Sequence, residues 1–335
     1  MYIIYNMNSK YTNLAISILL LLAVGYIYNK FQIKVETDDK IEELNIIKKY
    51  LLNEDEYNTI DKLSAIKKPI IWIHIEYDRN LRKWESFGSR ASEELNQDYL
   101  YLTLRSIINK CSDYFHIILI DDDSFGLLLE DWNVDLKKVG NAQRENIRQL
   151  ALMKVLYKYG GIMMEPSFIL FKSLRPIYEK IVLTEMPCVG EFTNETVDSH
   201  IMNYSPSLKF IGCMKNCPKI NELGKHLEIL VNSDNTFSSK LEGQITNWLY
   251  KKSQNNEISY IDGKFLGTRD SKNKNIDLAS LLGSTYLDLN VNTYGLYIPH
   301  KDLLKRTAYN WFVYLNTKQV LESNTNVGKY LLISN

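Results

Sequence analysis

Two dense apolar runs, residues 70–75 (IIWIHI) and 115–120 (FHIILI), each break off into acidic residues. Short runs rich in β-branched side chains read as buried strands. Lys67-Lys68-Pro69 and Glu76-Tyr77-Asp78 flank the first, and Asp121-Asp122-Asp123 close the second. Residues 81–110 read as helical, with Tyr99, Leu102, Leu104, Ile107 and Ile108 on the buried side. The clearest helix starts near Glu145, where Ile147, Leu150, Ala151, Val155 and Leu156 recur with a period near 3.6. That spacing suits a helix lying on a sheet. Gly160 and Gly161 can stop it, since glycine takes left-handed angles at little cost. A short apolar strand then runs into Glu165, Pro166 and Ser167. The pattern predicts an α/β fold with a mainly parallel sheet, and such sheets place ligands at the C-terminal strand ends.

The second half of the chain carries weaker periodicity. The apolar run resumes at 168–170, and Leu174-Arg175-Pro176 turns into a short helix. Strands are expected at 181–183 and 208–212, and helices at 223–231 and 240–250. Residues 190–206 read as a loop over a sheet edge. Residues 251–275, rich in Asn, Lys and Asp, read as a surface excursion around one hairpin. Residues 295–300 form a strand-like element ending in His300, followed by a helix from Lys301. Tyr309, Trp311, Phe312 and Tyr314 make an aromatic cluster expected to pack rather than to bind carbohydrate.

The N-terminus follows a different rule. Residues 11–28 carry no charge, and Lys10 and Lys30 bracket them. As a helix this run is about 27 Å long, at the short end of what spans a bilayer. Tyr26 and Tyr28 suit the interfacial belt. The run lacks a small-x-small cleavage site and is apolar on every face, so the expectation is an uncleaved anchor in the lipid bilayer. Three segments follow: residues 1–30 with a single-pass anchor at about 12–28, a polar tether at 31–68 with a short helix at 41–52, and a body at 69–335. Orientation stays open. Lys30, Lys34 and Lys40 favour a cytoplasmic body, while Asn194-Glu195-Thr196 and Asn203-Tyr204-Ser205 suit the secretory lumen.

Forty basic and forty acidic residues cancel across the 335 positions. A balanced charge argues against a nucleic-acid binder that relies on a strong positive field. Four cysteines are too few for a disulfide scaffold of this size. Cys213 and Cys217 fit unpaired structural thiols, a local bridge or, least well, a metal site, because no second ligand pair accompanies them.

Several residues carry candidate chemistry. His74 lies within the first strand, where it either faces a ligand or packs in the core. Three carboxylates at 121–123 cannot all be buried charged, so they meet solvent, helix amides, a metal or a cationic ligand. Asp121 and Asp123 share a face if strand geometry persists. The competing reading has Asp123 or Ser124 capping the next helix.

The body resembles the glycosyltransferase group that includes Och1-type mannosyltransferases and capsular-polysaccharide sugar transferases. The likeness rests on Leu156-Tyr157-Lys158-Tyr159-Gly160-Gly161-Ile162, on Ile71-Trp72-Ile73-His74 and on Asp121-Asp122-Asp123. It covers residues 68–180. The glycine pair running into a proline–serine turn also resembles uncharacterised proteins of large DNA viruses. The resemblance implies one glycosyltransferase-A-like domain at 69–335, a nucleotide-sugar donor, a glycan or protein acceptor, and Mn²⁺ or Mg²⁺ as cofactor.

The family pattern ends in an aspartate-x-aspartate pair, whose positions here hold Glu165 and Ser167, with Pro166 between them. The helix positions of its Asp and Arg are Gln149 and Leu152, while Glu145 and Arg148 keep the mutual spacing one turn earlier. The resemblance then implies Glu165, Ser167 and Asp123 as metal ligands. It implies His74, Arg148, Gly160 and Gly161 on the donor and Asp121 and Asp123 in catalysis, while His300 is a candidate general base by its placement after a strand. Arg148 or a lysine can alternatively compensate the leaving diphosphate without metal. A glycosyltransferase-like binding or structural protein without activity is the other reading.

Overall fold

The computed structural model describes residues 68–76, 97–192, 202–233 and 238–335, together with 19, 21–26, 50 and 52. The chain divides into two units, residues 1–49 and 50–335. In the first, residues 19 and 21–26 are helical with their described side chains exposed. The remainder of the expected anchor at 12–28, most of the tether at 31–68 and the acceptor pattern at Asn194 lie outside the described residues. Among the described residues no helix is long and apolar enough to cross a membrane.

The second unit is built on a six-stranded mixed sheet. Strand β1 (Ile70–His74) runs parallel to β2 (His116–Ile120) on one side and to β3 (Gly161–Met164) on the other. Between β1 and β2 the chain forms α1 (Asp98–Cys111), and between β2 and β3 it forms the short α2 (Ser124–Leu128) and the long α3 (Asn141–Tyr159). Parallel neighbours need such crossovers. Ile71, Trp72 and Ile73 are fully buried, as the unbroken apolar run requires. In register, Ile71 faces Ile117 and Ile162.

After β3 the chain turns through β4 (Phe168–Leu170) and α4 (Arg175–Thr184) into β5 (Cys188–Glu191) and β6 (Pro206–Cys213). Strand β6 pairs antiparallel with both β3 and β5, with a register shift at Val189/Gly190. Helices α5 (Pro218–Asn232) and α6 (Ser238–Gln254) pack against α3. Strand β7 (Ser259–Ile261) adds parallel to β5, completing the order β2-β1-β3-β6-β5-β7. The chain then forms the short helices α7 (Gly263–Leu266) and α8 (Leu278–Leu282). Strand β8 (Gly295–Tyr297) pairs antiparallel with β4 in a separate two-stranded sheet. Helices α9 (His300–Lys305), α10 (Thr317–Glu322) and α11 (Asn326–Ser334) close the chain.

The expected strand at 181–183 lies in α4 instead, where Ile177 and Ile181 turn inward and Leu183 is exposed. Helical spacing of four outweighs the β-branched composition there. The expected excursion at 251–275 is more ordered than its composition implies. It holds the end of α6, β7, α7 and a bridge between Arg269 and Asn275. In the expected aromatic cluster Phe312 is fully buried, while Trp311 and Tyr314 remain exposed.

Candidate functional site

Strands β1, β2 and β3 are mutually parallel, so their C-terminal ends emerge at one edge of the sheet. Glu76, Asp122 and Glu165 follow directly at that edge. Arg148, on α3, reaches across it. Its Nε and Nη2 donate to Asp122 Oδ1 and Oδ2 at 2.7 and 2.8 Å, and Nη1 donates to Glu76 Oε1 at 2.6 Å. His74 Nε2 lies 3.0 Å from Asp122 Oδ1, and its ring stacks on Phe125. Burial disfavours the charged Asp122 and Glu76, but Arg148 and the histidine outweigh it and hold both carboxyls below their ordinary values. The same pairs raise the Arg148 guanidinium against its own desolvation.

Glu165 occupies the cleft itself. The Pro166 carbonyl accepts from Thr103 Oγ1 at 2.7 Å, and Ile298 N donates to Ser167 O at 3.0 Å. The turn is therefore pinned from two sides. The β4–β8 pairing sets Tyr297 opposite Phe168 and brings Tyr297 Oη to Glu165 Oε2 at 2.8 Å. His300 Nδ1 lies 3.8 Å from the same oxygen. Burial opposes ionisation of Glu165, but His300, Lys209 and the tyrosine hydroxyl lower its pKa below the ordinary carboxylate value. Lys209 Nζ stands 5.7 Å from the Tyr297 ring centroid.

His74, Glu76, Arg148, Glu165, Lys209, Tyr297 and His300 line a cleft of about 200 Å³, whose other walls include Asn146 and Gln149 on α3, Glu242 and Thr246 on α6, and Lys301, Asp302 and Lys305 on α9. Lys301 pairs with Glu145 across its rim. Of the residues singled out from sequence, His74, Arg148, Glu165 and His300 line this cleft.

The others sit elsewhere. Asp121 accepts from the backbone N–H and hydroxyl of Ser124 at 2.9 and 2.7 Å, so it closes the turn into α2. Asp123 is exposed and paired with Lys137 at 2.7 Å. The expected shared face of Asp121 and Asp123 fails because β2 ends at Ile120. Gly160 and Gly161 lie at the opposite end of β3 from Glu165. Their φ angles are +70° and +106°, and a Cβ on Gly161 would stand 2.2 Å from Ile70 O. Their role is close backbone approach at the helix end, away from the cleft.

Glu165, Ser167 and Asp123 do not fit a shared divalent ion. Ser167 is fully buried with its hydroxyl shut away from the cleft lining, and Asp123 faces Lys137 at the surface. Among the described residues no cluster of three His, Cys, Asp or Glu side chains is arranged to hold a metal.

Sequence reasoning missed Asp122, Glu76, Tyr297 and Lys209. Asp122 carried a signal in the acidic triplet, but strand alternation pointed to its neighbours. Tyr297 is 132 residues from Glu165, and nothing local announces their contact.

No family model matches the chain, and no curated protein sequence matches it. Among solved structures the chain is similar to a PaToxG glycosyltransferase at 14% identity and a TM-score of 0.33, covering 65% of this chain and 79% of that one. The likeness is distant.

Proposed function

We propose that this chain transfers a sugar from a nucleotide-sugar donor to a glycan or protein acceptor, in the cleft around Glu165. One observation carries the reading. Glu165, at the position of the resembling motif's first aspartate, faces the cleft beside His300 and Tyr297, with the Pro166 carbonyl fixed by Thr103.

In this reading His300 takes the proton of the acceptor hydroxyl as that oxygen bonds to the anomeric carbon of the donor. The bond from that carbon to the diphosphate oxygen breaks, and the diphosphate leaves with the electron pair. Ionised Glu165, 3.8 Å from Nδ1, stabilises the imidazolium that forms. Tyr297 fixes the carboxylate's direction through its hydroxyl. Lys209 and Lys305 supply positive charge for the departing diphosphate. Arg148 serves as a positioning residue, because all three of its nitrogens are engaged by Asp122 and Glu76.

The experiment is release of free nucleoside diphosphate from nucleotide sugars by the purified full chain, offered glycan and peptide acceptors. His300→Ala is expected to slow turnover by about 100-fold or more. A second reading, a glycosyltransferase-like binding protein without activity, is favoured by the buried Ser167 at the second acidic position. It prevails if the folded chain binds donor but releases no sugar to any acceptor.

A further inference from the structure

Asn146 and Thr246 are each 4% exposed, and both line the cleft. They come from two packed helices, α3 and α6. Among the described residues neither side chain makes a hydrogen bond. For Thr246 this is unusual. A helical threonine ordinarily bonds a carbonyl three or four residues back, as Thr103 and Thr184 do here at 2.9 and 2.8 Å. Gln149, one turn beyond Asn146 on the same face of α3, adds a buried carboxamide oxygen without a partner.

Buried polar groups without partners cost stability, so each such group in a native fold calls for an explanation. Here most of the charged lining is paired within the protein or already assigned: Arg148 with Asp122 and Glu76, Lys301 with Glu145, Glu165 with Tyr297, and Lys209 and Lys305 with the departing diphosphate. On the wall formed by α3 and α6 the unmet hydrogen-bonding capacity is the amide of Asn146, the carboxamide oxygen of Gln149 and the hydroxyl of Thr246, all neutral, beside the carboxylate of Glu242.

Resting on the proposed function, we infer that this wall of the cleft is a subsite for the uncharged hydroxyl groups of a neutral sugar, with Asn146 as its specificity-determining residue. Neutral hydroxyls can donate to and accept from an amide at once. A uronic acid would instead set its carboxylate beside that of Glu242, one turn before Thr246. Like charges in a recessed cleft are disfavoured.

The test titrates the full chain with two series: UDP, UDP-glucose and UDP-glucuronate, and GDP, GDP-mannose and GDP-mannuronate. In the series that binds, the neutral sugar nucleotide is expected to bind about tenfold tighter than its uronate. Asn146→Leu is expected to lose that gain while leaving affinity for the nucleoside diphosphate unchanged. Its melting temperature should hold near the wild-type value, because the Asn146 amide opens onto the cleft and the substitution keeps a similar volume. A uronate bound as tightly as the neutral sugar overturns the inference, as does an Asn146→Leu chain that keeps the preference. A lower melting temperature in Asn146→Leu also overturns it, by making the amide structural. If the folded wild type binds no nucleotide or nucleotide sugar in either series, the proposed function falls and the subsite with it.

Discussion

Arg148 holds Asp122 by two parallel hydrogen bonds, and with its remaining nitrogen it holds Glu76. The planar guanidinium matches a carboxylate edge to edge, which a lysine cannot do. One side chain of α3 thereby fastens the helix to the segments leaving β1 and β2, and sets the floor against which His74 and Glu165 stand. Replacing it leaves two partly buried carboxylates facing each other. Arg148→Met is expected to cost about 3 kcal/mol, the low end for breaking a buried pair, since Asp122 stays 22% exposed. Urea denaturation of the variant against wild type measures it.

The same network makes stability fall in acid. Asp122, Glu76 and Glu165 all have folded-state pKa values below their ordinary 3.8 and 4.5. The unfolded chain therefore takes up protons first as the pH drops. The stabilisation is fully present above about 4.5 and is lost progressively below it. Thermal melts across acidic pH should show this decline, and Arg148→Met should show a shallower one. Parallel curves for the two proteins would assign the acid sensitivity to other groups.

Where composition and local spacing decide structure, the sequence was legible. The runs at 70–75 and 115–120 became β1 and β2, and the 3.6-residue period with its glycine stop became α3 and its turn into β3. Residues that meet through long-range pairing were not legible. Tyr297 reaches Glu165 because β8 pairs with β4, and Lys209 arrives because β6 runs antiparallel to β3. Neither pairing leaves a mark on the sequence near Glu165. Asp122 was passed over because the strand stops two residues before it, so alternation no longer tells which way a side chain points.

Gly161 gives a test of how β3 is seated. Its φ of +106° and the 2.2 Å approach of a virtual Cβ to Ile70 O leave no room for any side chain. Gly161→Ala is expected to destabilise by about 3 kcal/mol through strain and displacement of β1. A melting temperature equal to wild type would mean the strand pair adjusts freely.

The cysteines separate by environment. All four are free and buried. A hydrogen bond from Cys213, with the first amides of α5, outweighs burial and lowers the Cys217 thiol to about 6. Burial pushes Cys111 up to about 11 and Cys188 up to about 12. Iodoacetamide with peptide mapping should find Cys217 modified first, at a rate rising through about pH 6. Preferential labelling of Cys111 or Cys188 would contradict the assignment.

The central claim is that the cleft around Glu165 binds a nucleotide sugar without Glu165, Ser167 and Asp123 sharing a divalent ion. Calorimetric titration of the full chain with a panel of nucleoside diphosphates and nucleotide sugars, with and without Mn²⁺, tests it most directly, using wild type and Glu165→Gln. The account predicts saturable binding of a nucleotide sugar, unaltered by Mn²⁺ and retained in a folded Glu165→Gln chain, because Glu165 acts on His300 and not on the diphosphate. Absence of binding by the folded wild type, or binding that requires Mn²⁺, would contradict it.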